Sequence, residues 1–219
     1  MIFVIVLIIT AVRIKSMDSH RISGRILAEN IAGPGMLRLV EQSMQARARK
    51  TSVTEIAVKE RKHPQAALTF DDGPDIRYTP LLLDGLKERN VRVSFFLLGE
   101  KVEQYPELVE RMQKEGHLVG NHTYHHVQLD KLNETKAREE ILKTNNLIYE
   151  TTGVYPLYLR PPFGAWKKNL ELCVEMLPVF WTIDTLDWKV KNTEKIVRTV
   201  KEQIEDGAII LMHDEYDTS

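Results

Sequence analysis

The alternation of apolar and polar residues changes near residue 65. From Gln65 onward, short apolar runs alternate with longer segments in which apolar residues recur at helical spacing, which is typical of strand-helix units. Such units build parallel strands wrapped by helices, either as a barrel or as an open sheet. The pattern predicts strands at residues 66–70, 93–98, 117–120, 157–159, 179–183 and 208–212, and helices at residues 78–89, 105–115, 132–151, 167–177 and 193–206.

The chain begins with a different pattern. Residues 2–12 form an apolar run followed by Arg13 and Lys15, shorter than the roughly 20 residues that span a bilayer. We interpret residues 1–15 as a signal-like or anchor-like segment, with membrane attachment through residues 2–12, although no basic residue precedes the run. The alternative is an apolar strand packed inside the domain. Residues 16–62 are predicted to form a linker or helical stalk, and residues 63–219 the folded domain.

Composition narrows the kinds of partner and site. The 30 basic and 31 acidic residues nearly cancel, so no overall field recruits nucleic acid, and the sequence predicts no nucleic-acid partner. Cys173 is the single cysteine, which excludes an intrachain disulfide and a site built from several thiolates. Any metal must therefore be held by histidine and carboxylate groups. These features specify no oligomeric state.

Unusual polar residues follow nearly every predicted strand. Because active sites of barrels and open parallel sheets form at the carboxyl ends of the strands, this placement predicts one shared site. The residues are Asp71 and Asp72 after the first predicted strand, His122 and His126 after the third, Arg160 after the fourth, Asp184 and Asp187 after the fifth, and His213 after the sixth.

Two of these groups suit metal-assisted acid-base chemistry. Asp71 and Asp72 allow one carboxylate to bind a metal while the other accepts a proton; alone, they are better explained by a turn that caps the next helix. His122 and His126 have i, i+4 spacing, which brings both rings to one face if the segment forms a helical turn. An isolated pair of this kind is as often a surface pair as a ligand pair. His125 remains an alternative ligand if the backbone takes another path.

Five motifs together resemble the NodB-like polysaccharide deacetylases, carbohydrate esterase family 4. They are TFDDGP at 69–74, HTYHH at 122–126, RPPFGAW at 160–166, DTLDW at 184–188 and LMH at 211–213, in the order that the family has them. The resemblance covers about residues 65–214. It implies an α/β fold, a distorted (β/α) barrel with seven strands, and a catalytic domain within residues 63–219. The chain ends six residues after His213, so we expect a barrel that is incomplete at its C-terminus. The residues before the domain are expected to form an N-terminal helical extension.

The resemblance also implies a role for each motif residue. Asp72, His122 and His126 would hold a divalent metal, usually Zn²⁺, with Co²⁺ or another divalent ion as a substitute. Asp71 would be the base, oriented by Arg160, and His213 the acid, supported by Asp187. The backbone N–H of Phe163 would stabilise the oxyanion, and Leu211 would pack on the acetyl methyl group. Apart from the resemblance, the flat aromatic face of Trp188 suits a sugar ring, so we expect Trp188 to line the sugar groove. Thr123 would tie down the metal-binding loop, and Asp184 would shape its own loop.

The activity implied is removal of N-acetyl groups from an N-acetylglucosamine polymer, with peptidoglycan at the bacterial cell surface as the expected substrate. A membrane-anchored or secreted, extracytoplasmic protein is expected. Chitooligosaccharide and acetylated xylan are alternative substrates of the same chemistry. A further alternative is a glycan-binding module that keeps the fold without turnover.

Overall fold

The structure, a computed structural model, describes residues 64–166 and 176–215. The strands are β1 (Ala66–Asp71), β2 (Ser94–Leu97), β3 (Leu118–Asn121), β4 (Tyr158–Leu159), β5 (Leu177–Pro178), β6 (Ile183–Asp184) and β7 (Ala208–His213). The helices are α1 (Tyr78–Glu88), α2 (Gly99–Gln104), α3 (Pro106–Lys114), α4 (Glu134–Thr152), α5 (Asp187–Val190) and α6 (Thr193–Gln203). Short 3-10 turns lie at Leu129–Lys131 and Pro162–Gly164.

The strands form one parallel, 7-stranded sheet in the order β5-β4-β3-β2-β1-β7-β6. β5 and β6 are therefore the two edges, yet only residues 179–182 connect them. An extended chain advances at most about 3.6 Å per residue, so this connection reaches about 18 Å. The edges of a flat sheet of this width would lie about 29 Å apart. The sheet is consequently curled into a half-barrel, which confirms the predicted distorted barrel of seven strands.

The core lies between the curled sheet and its helices. β1 is buried along almost its whole length, as expected for a central parallel strand covered on both faces. Phe70 of β1 stacks on Phe95 of β2, with ring centroids 5.6 Å apart. α1 buries Thr79, Leu83 and Leu86, which recur at helical spacing and face the sheet. This packing fixes the strand ends from which the polar residues project.

Helix α4 has clear end signals. The side chain of Asn133 accepts a hydrogen bond from the backbone N–H of Lys136 at the start of the helix. Gly153 ends it with a φ of 72°, a left-handed conformation that glycine adopts without steric cost. The helix buries Ala137, Ile141, Thr144, Asn145 and Ile148 against the rest of the domain. It therefore lies in a fixed position behind the loop that follows β3.

The sequence prediction is wrong in one connection. Of residues 179–183, predicted as a strand, only Ile183 lies in one, because the other residues cross from one sheet edge to the other. A helix is predicted at residues 167–177, of which residues 167–175 lie outside the described part of the chain. Met176 is in no helix or strand, and Leu177 belongs to β5. Helix α2 is not predicted by the pattern, since it is short and buries only Gly99 and Val102.

Residues 1–63 lie outside the described part of the chain, and with them the apolar run at residues 2–12 and the predicted stalk. Within residues 64–166 and 176–215, no helix combines the length and the apolar character needed to cross a bilayer.

Candidate active site

The polar residues after the strands lie at one edge of the sheet. Asp71 is the last residue of β1 and His213 the last of β7, and the two face each other in the register of these strands. Asp184 ends β6, and Arg160 directly follows β4. Because all the strands are parallel, their carboxyl ends meet on the same side of the half-barrel. The structure thus gathers the sequence-predicted residues in one place.

Asp71 and Arg160 form a buried ion pair. Arg160 Nη1 donates to Asp71 Oδ1 and to Thr69 Oγ1, each at 2.7 Å. The side chains of Arg160 and Asp71 are only 0% and 4% exposed, and the guanidinium lies over the ring of Phe96. The second oxygen, Asp71 Oδ2, lies 3.7 Å from His122 Nε2. One oxygen of this carboxylate is therefore fixed by Arg160, while the other faces the histidines.

Asp72 points toward the same histidines because the backbone turns after β1. Its φ of 69° breaks the alternation of side chains along the strand. Asp72 Oδ1 is buried without a hydrogen-bond partner and lies 3.3 Å from His122 Nε2 and 3.4 Å from His126 Nε2. Burial alone would raise the pKa of Asp72, but the adjacent His122, with the charges of His126 and His213, lowers it to about 2. Asp72 is thus a carboxylate directed at two imidazoles.

His122 and His126 extend from a loop, not from the helical turn that their spacing suggests. Thr123 and His126 have positive φ values of 67° and 55°, which a right-handed helix does not allow. The two imidazole rings still meet, with centroids 5.0 Å apart. Asn121 holds the start of the loop by accepting the N–H of Thr123 at 2.7 Å. The Thr123 hydroxyl accepts the N–H of Val127 at 3.3 Å, so Thr123 does tie the loop down.

The orientation of His122 is set by a backbone contact. Its Nδ1 lies 2.6 Å from the carbonyl oxygen of Arg160, which can only accept, so Nδ1 carries the proton and Nε2 faces Asp72. Burial lowers the pKa of His122, but the charges of Asp71 and Asp72 outweigh this effect and raise it. The site therefore favours a positive charge between these groups, whether a proton or a metal ion.

The spacing of the donor atoms fits a divalent ion. Donor atoms of Asp72, His122 and His126 all lie within 4.8 Å of one another. Two ligand atoms, each about 2.0–2.1 Å from a tetrahedral ion, lie about 3.3 Å apart, close to the contacts that Asp72 Oδ1 makes. Burial lowers the pKa of His126, which favours the neutral imidazole that a metal requires. His125 is turned away, because its Nδ1 is bonded to Glu140 at 2.7 Å.

His213 and Asp187 form a second pair on the other flank of Asp72. Asp187 is fully buried, lies 2.8 Å from His213 Nδ1, and accepts the backbone N–H of His213 at 2.7 Å. His213 Nε2 lies 3.9 Å from Asp72 Oδ2. Burial alone would lower the pKa of His213, but Asp187, with the charges of Asp72 and Asp71, raises it to about 9. A protonated imidazole is thus maintained at neutral pH.

The residues predicted to contact substrate have different exposures. Phe163 is 63% exposed, has a φ of 59°, and lies with its ring centroid 4.6 Å from that of His126. Trp188, on α5, is 47% exposed, whereas Leu211 of β7 is buried. Leu211 lies two residues before His213 and so points to the same face of its strand. Asp184 accepts the N–H of Leu186 at 2.9 Å and so shapes the loop before α5.

Four residues that support the site are missed by the sequence reasoning. Thr69 lies in β1, near Asp71, and Asn121 lies in β3, directly before His122. A polar residue inside an apolar strand needs a hydrogen-bond partner, and this is the signal that could have found both. Glu140 lies on the buried face of α4, where an acidic side chain requires partners. Asp214 follows His213 directly and resembles an ordinary surface residue in the sequence.

Asp214 packs beneath the turn after β1. It is fully buried, and its carboxylate accepts the hydroxyl of Thr79 at 2.6 Å. A side-chain carbon added to Gly73 would lie only 2.2 Å from Asp214 Oδ1, so glycine is needed for this close approach. Burial raises the pKa of Asp214 to about 7. Asp214 therefore joins the end of β7 to the turn that carries Asp71 and Asp72.

A family model described as polysaccharide deacetylase matches residues 58–179. The chain belongs to the polysaccharide deacetylase family. One relative is a Bacillus cereus protein named peptidoglycan-N-acetylglucosamine deacetylase. It is 43% identical to this chain over 152 residues, which are 68% of this chain. The match covers 55% of the relative, so the chain spans about half of the relative's length.

Solved structures of the polysaccharide deacetylase family share the fold. The structure of the peptidoglycan deacetylase PdaC from Bacillus subtilis is 40% identical, with a TM-score of 0.70, and the match covers 72% of this chain and 78% of that chain. That protein is named a peptidoglycan-N-acetylmuramic acid deacetylase. A pseudoenzyme of carbohydrate esterase family 4 from Bacillus anthracis is 30% identical, with a TM-score of 0.65, and the match covers 69% of this chain and 56% of that chain.

Proposed function

We propose that the chain is a zinc-dependent hydrolase that removes N-acetyl groups from N-acetylglucosamine units of peptidoglycan. The observation that carries this proposal is that Asp72 Oδ1 is buried without a hydrogen-bond partner beside the Nε2 atoms of His122 and His126. Asp71 and His213 lie on the two flanks of this group. Two imidazoles and one carboxylate are a donor set of catalytic zinc, which leaves one position open. Co²⁺ or another divalent ion would serve as a substitute.

The residues divide the chemistry between a base and an acid. An ion held by Asp72, His122 and His126 would supply Lewis acidity toward water and toward the acetamide carbonyl. Asp71 accepts the proton of the attacking water through Oδ2, since Arg160 holds Oδ1. As the carbon–nitrogen bond breaks, acetate forms and the departing nitrogen needs a proton.

His213 provides that proton in this proposal. Asp187 fixes the ring through Nδ1, so Nε2 is the atom that faces the reacting group. A pKa of about 9 keeps the imidazole protonated at neutral pH. The backbone N–H of Phe163 would donate to the oxyanion, Leu211 would contact the acetyl methyl group, and the exposed ring of Trp188 would contact a sugar.

The choice of polymer is supported by the relatives. One is named for N-acetylglucosamine and another for N-acetylmuramic acid of peptidoglycan, so both sugars belong in the test. We propose action outside the cytoplasmic membrane, where peptidoglycan lies, with attachment through residues 2–12. Chitooligosaccharide and acetylated xylan remain alternative substrates, because the same residues would cleave the amide of an N-acetyl group or the ester of an O-acetyl group.

A glycan-binding module without turnover is the second candidate, since a pseudoenzyme of the same fold exists in Bacillus anthracis. The presence of Asp71, Asp72, both histidine ligands and His213 in one site favours catalysis instead. A non-catalytic chain would be under no constraint to keep a base, an acid and three donors together.

The test is acetate release by the purified protein loaded with Zn²⁺ or Co²⁺. The substrates are N-acetylglucosamine oligomers, intact peptidoglycan and acetylated xylan, with mass spectrometry of digested peptidoglycan to identify which sugar loses its acetyl group. We expect acetate from peptidoglycan, with the new free amine on N-acetylglucosamine. Glycan binding without acetate from any substrate would support the binding module and contradict the proposed hydrolase.

A further inference from the structure

One acidic residue lies on the buried face of α4 without a part in the proposed chemistry. Glu140 is three residues after Ala137 and four before Thr144, so the three share one face of the helix. Ala137 and Thr144 are fully buried, and the side chain of Glu140 is 15% exposed. A carboxylate in such a position requires hydrogen-bond donors, because its desolvation is costly otherwise.

The donors all come from the loop that carries the two histidine ligands. Glu140 Oε2 accepts the backbone N–H of Tyr124 at 3.0 Å and that of His125 at 2.9 Å. Glu140 Oε1 lies 2.7 Å from His125 Nδ1. Tyr124 and His125 lie between His122 and His126 in the sequence. The Glu140 carboxylate therefore binds the loop midway between His122 and His126.

Other contacts hold different parts of this loop. The carbonyl oxygens of Thr123 and Tyr124 accept the N–H groups of Gly99 and Glu100, at 2.9 and 3.2 Å. Asn121 accepts the N–H of Thr123 at its start. These contacts engage the loop from its other side or at its beginning. Glu140 takes the two consecutive N–H groups immediately before His126, where the backbone turns to positive φ.

We infer that Glu140 is a positioning residue for the metal site: it fixes the Tyr124–His125 backbone so that His126 Nε2 stays beside Asp72 Oδ1 together with His122 Nε2. The inference rests on the proposed function in one respect, namely that these three groups bind a divalent ion. Glu140 acts through hydrogen bonds to the loop and contacts neither substrate nor metal. Outer partners of this kind typically contribute 10–100-fold to metal affinity.

The experiment compares Zn²⁺ affinity of the full chain and of variants, by competition with a chromophoric chelator. Glu140→Ala removes all three contacts and is expected to bind Zn²⁺ about 10–100-fold more weakly. Glu140→Gln keeps an oxygen that accepts both N–H groups, while its NH₂ can donate to His125 Nδ1, so affinity within about threefold of wild type is expected. Glu139→Ala is the matched control, since Glu139 is an exposed neighbour on the same helix, and no change is expected.

The absorption spectrum of bound Co²⁺ provides a readout independent of activity. In Glu140→Ala the visible bands should shift or weaken, whereas Glu140→Gln and Glu139→Ala should retain the wild-type spectrum. Circular dichroism of the metal-free variants checks that they are folded. If Glu140→Ala is unfolded, Glu140→Asp replaces it; its carboxylate is one methylene shorter, and weaker Zn²⁺ binding is again expected.

The outcomes separate this inference from the proposed function. Wild-type affinity and an unchanged Co²⁺ spectrum in folded Glu140→Ala, or in Glu140→Asp where that replaces it, would overturn the inference alone. A wild-type protein that binds neither Zn²⁺ nor Co²⁺ would overturn the proposed function, and the inference with it. An equal loss of affinity in Glu139→Ala would also overturn the inference, because it would reveal a general effect of charge on α4.

Discussion

The two flanks of Asp72 are built from the same kind of interaction but respond differently to pH. On one flank Asp71 is paired with Arg160, and on the other Asp187 is paired with His213. Arg160 cannot lose its proton in a protein, so the cation of the first pair is permanent. His213 can become neutral, so the second pair depends on pH.

The difference assigns separate physical roles to the flanks. The Asp71–Arg160 flank is a fixed, buried ion pair whose disruption leaves an uncompensated charge, so it governs stability. The His213–Asp187 flank carries a proton that is released on the alkaline side of neutrality, so in the proposed mechanism it sets the alkaline limit of activity. Substitutions in each flank test this difference.

The largest effect is expected from Arg160→Ala. Asp71 would be left buried beside Thr69 without its cation, and loss of one member of a buried pair costs about 3–5 kcal/mol. Chemical denaturation of the metal-free protein should reveal a lower free energy of unfolding. Arg198→Ala, at an exposed arginine on α6, is the control and should change the value by less than about 0.5 kcal/mol. Equal stability of both variants would contradict the role assigned to this flank.

Asp187→Asn should change the pH dependence more than the stability. The proton on His213 is held below pH 9 and lost as pH rises through about 9, so activity should decline along an alkaline limb near that value. Without the Asp187 charge, burial is opposed only by the charges of Asp72 and Asp71, so the pKa of His213 falls toward its ordinary value of about 6.5. The measurement is the pH profile of kcat/KM for acetate release. An alkaline limb that stays near pH 9 in the variant would rule out His213 as the titrating acid.

The smallest effect is expected from Asp214→Asn, at the residue that joins the two flanks. Since burial raises the pKa of Asp214 to about 7, its contribution to stability is full below pH 4 and is lost as pH rises through 7. The asparagine variant lacks this titration. The loss of unfolding free energy between pH 5 and pH 8 should therefore shrink by on the order of 1–3 kcal/mol. Identical pH dependence in wild type and variant would show that Asp214 does not titrate in this range.

Much of the site can be predicted from the sequence because its residues follow strands. A strand is recognisable from a short apolar run, and the polar residue at its end is then placed at the sheet edge that carries the candidate site, as for Asp71, Arg160 and His213. The parallel, helix-covered sheet follows in the same way from the strand-helix alternation, which leaves open whether that sheet is curled. These predictions depend only on local patterns and on the geometry of parallel sheets.

The remainder depends on contacts between distant residues of ordinary type. Glu140 resembles one of many solvated helix residues until its partners at Tyr124 and His125 are known. The loop between His122 and His126 has the spacing of a helical turn, but Asn121, Thr123 and Glu140 stabilise another path. The residues 179–182 contain a strand-like run, yet they must cross between sheet edges. In all three cases the conformation or role is determined by tertiary contacts, which cannot be read from the local periodicity of the sequence.

We propose that Asp71 acts as base beside an ion held by Asp72, His122 and His126. The decisive comparison is acetate release from N-acetylglucosamine oligomers by wild type and by Asp71→Asn, each at a measured Zn²⁺ content. We predict about one ion per chain in both proteins and a rate at least about 100-fold lower in the variant, since general-base catalysis typically contributes 10²–10⁴-fold. Equal acetate release by both proteins at equal Zn²⁺ content would contradict the claim.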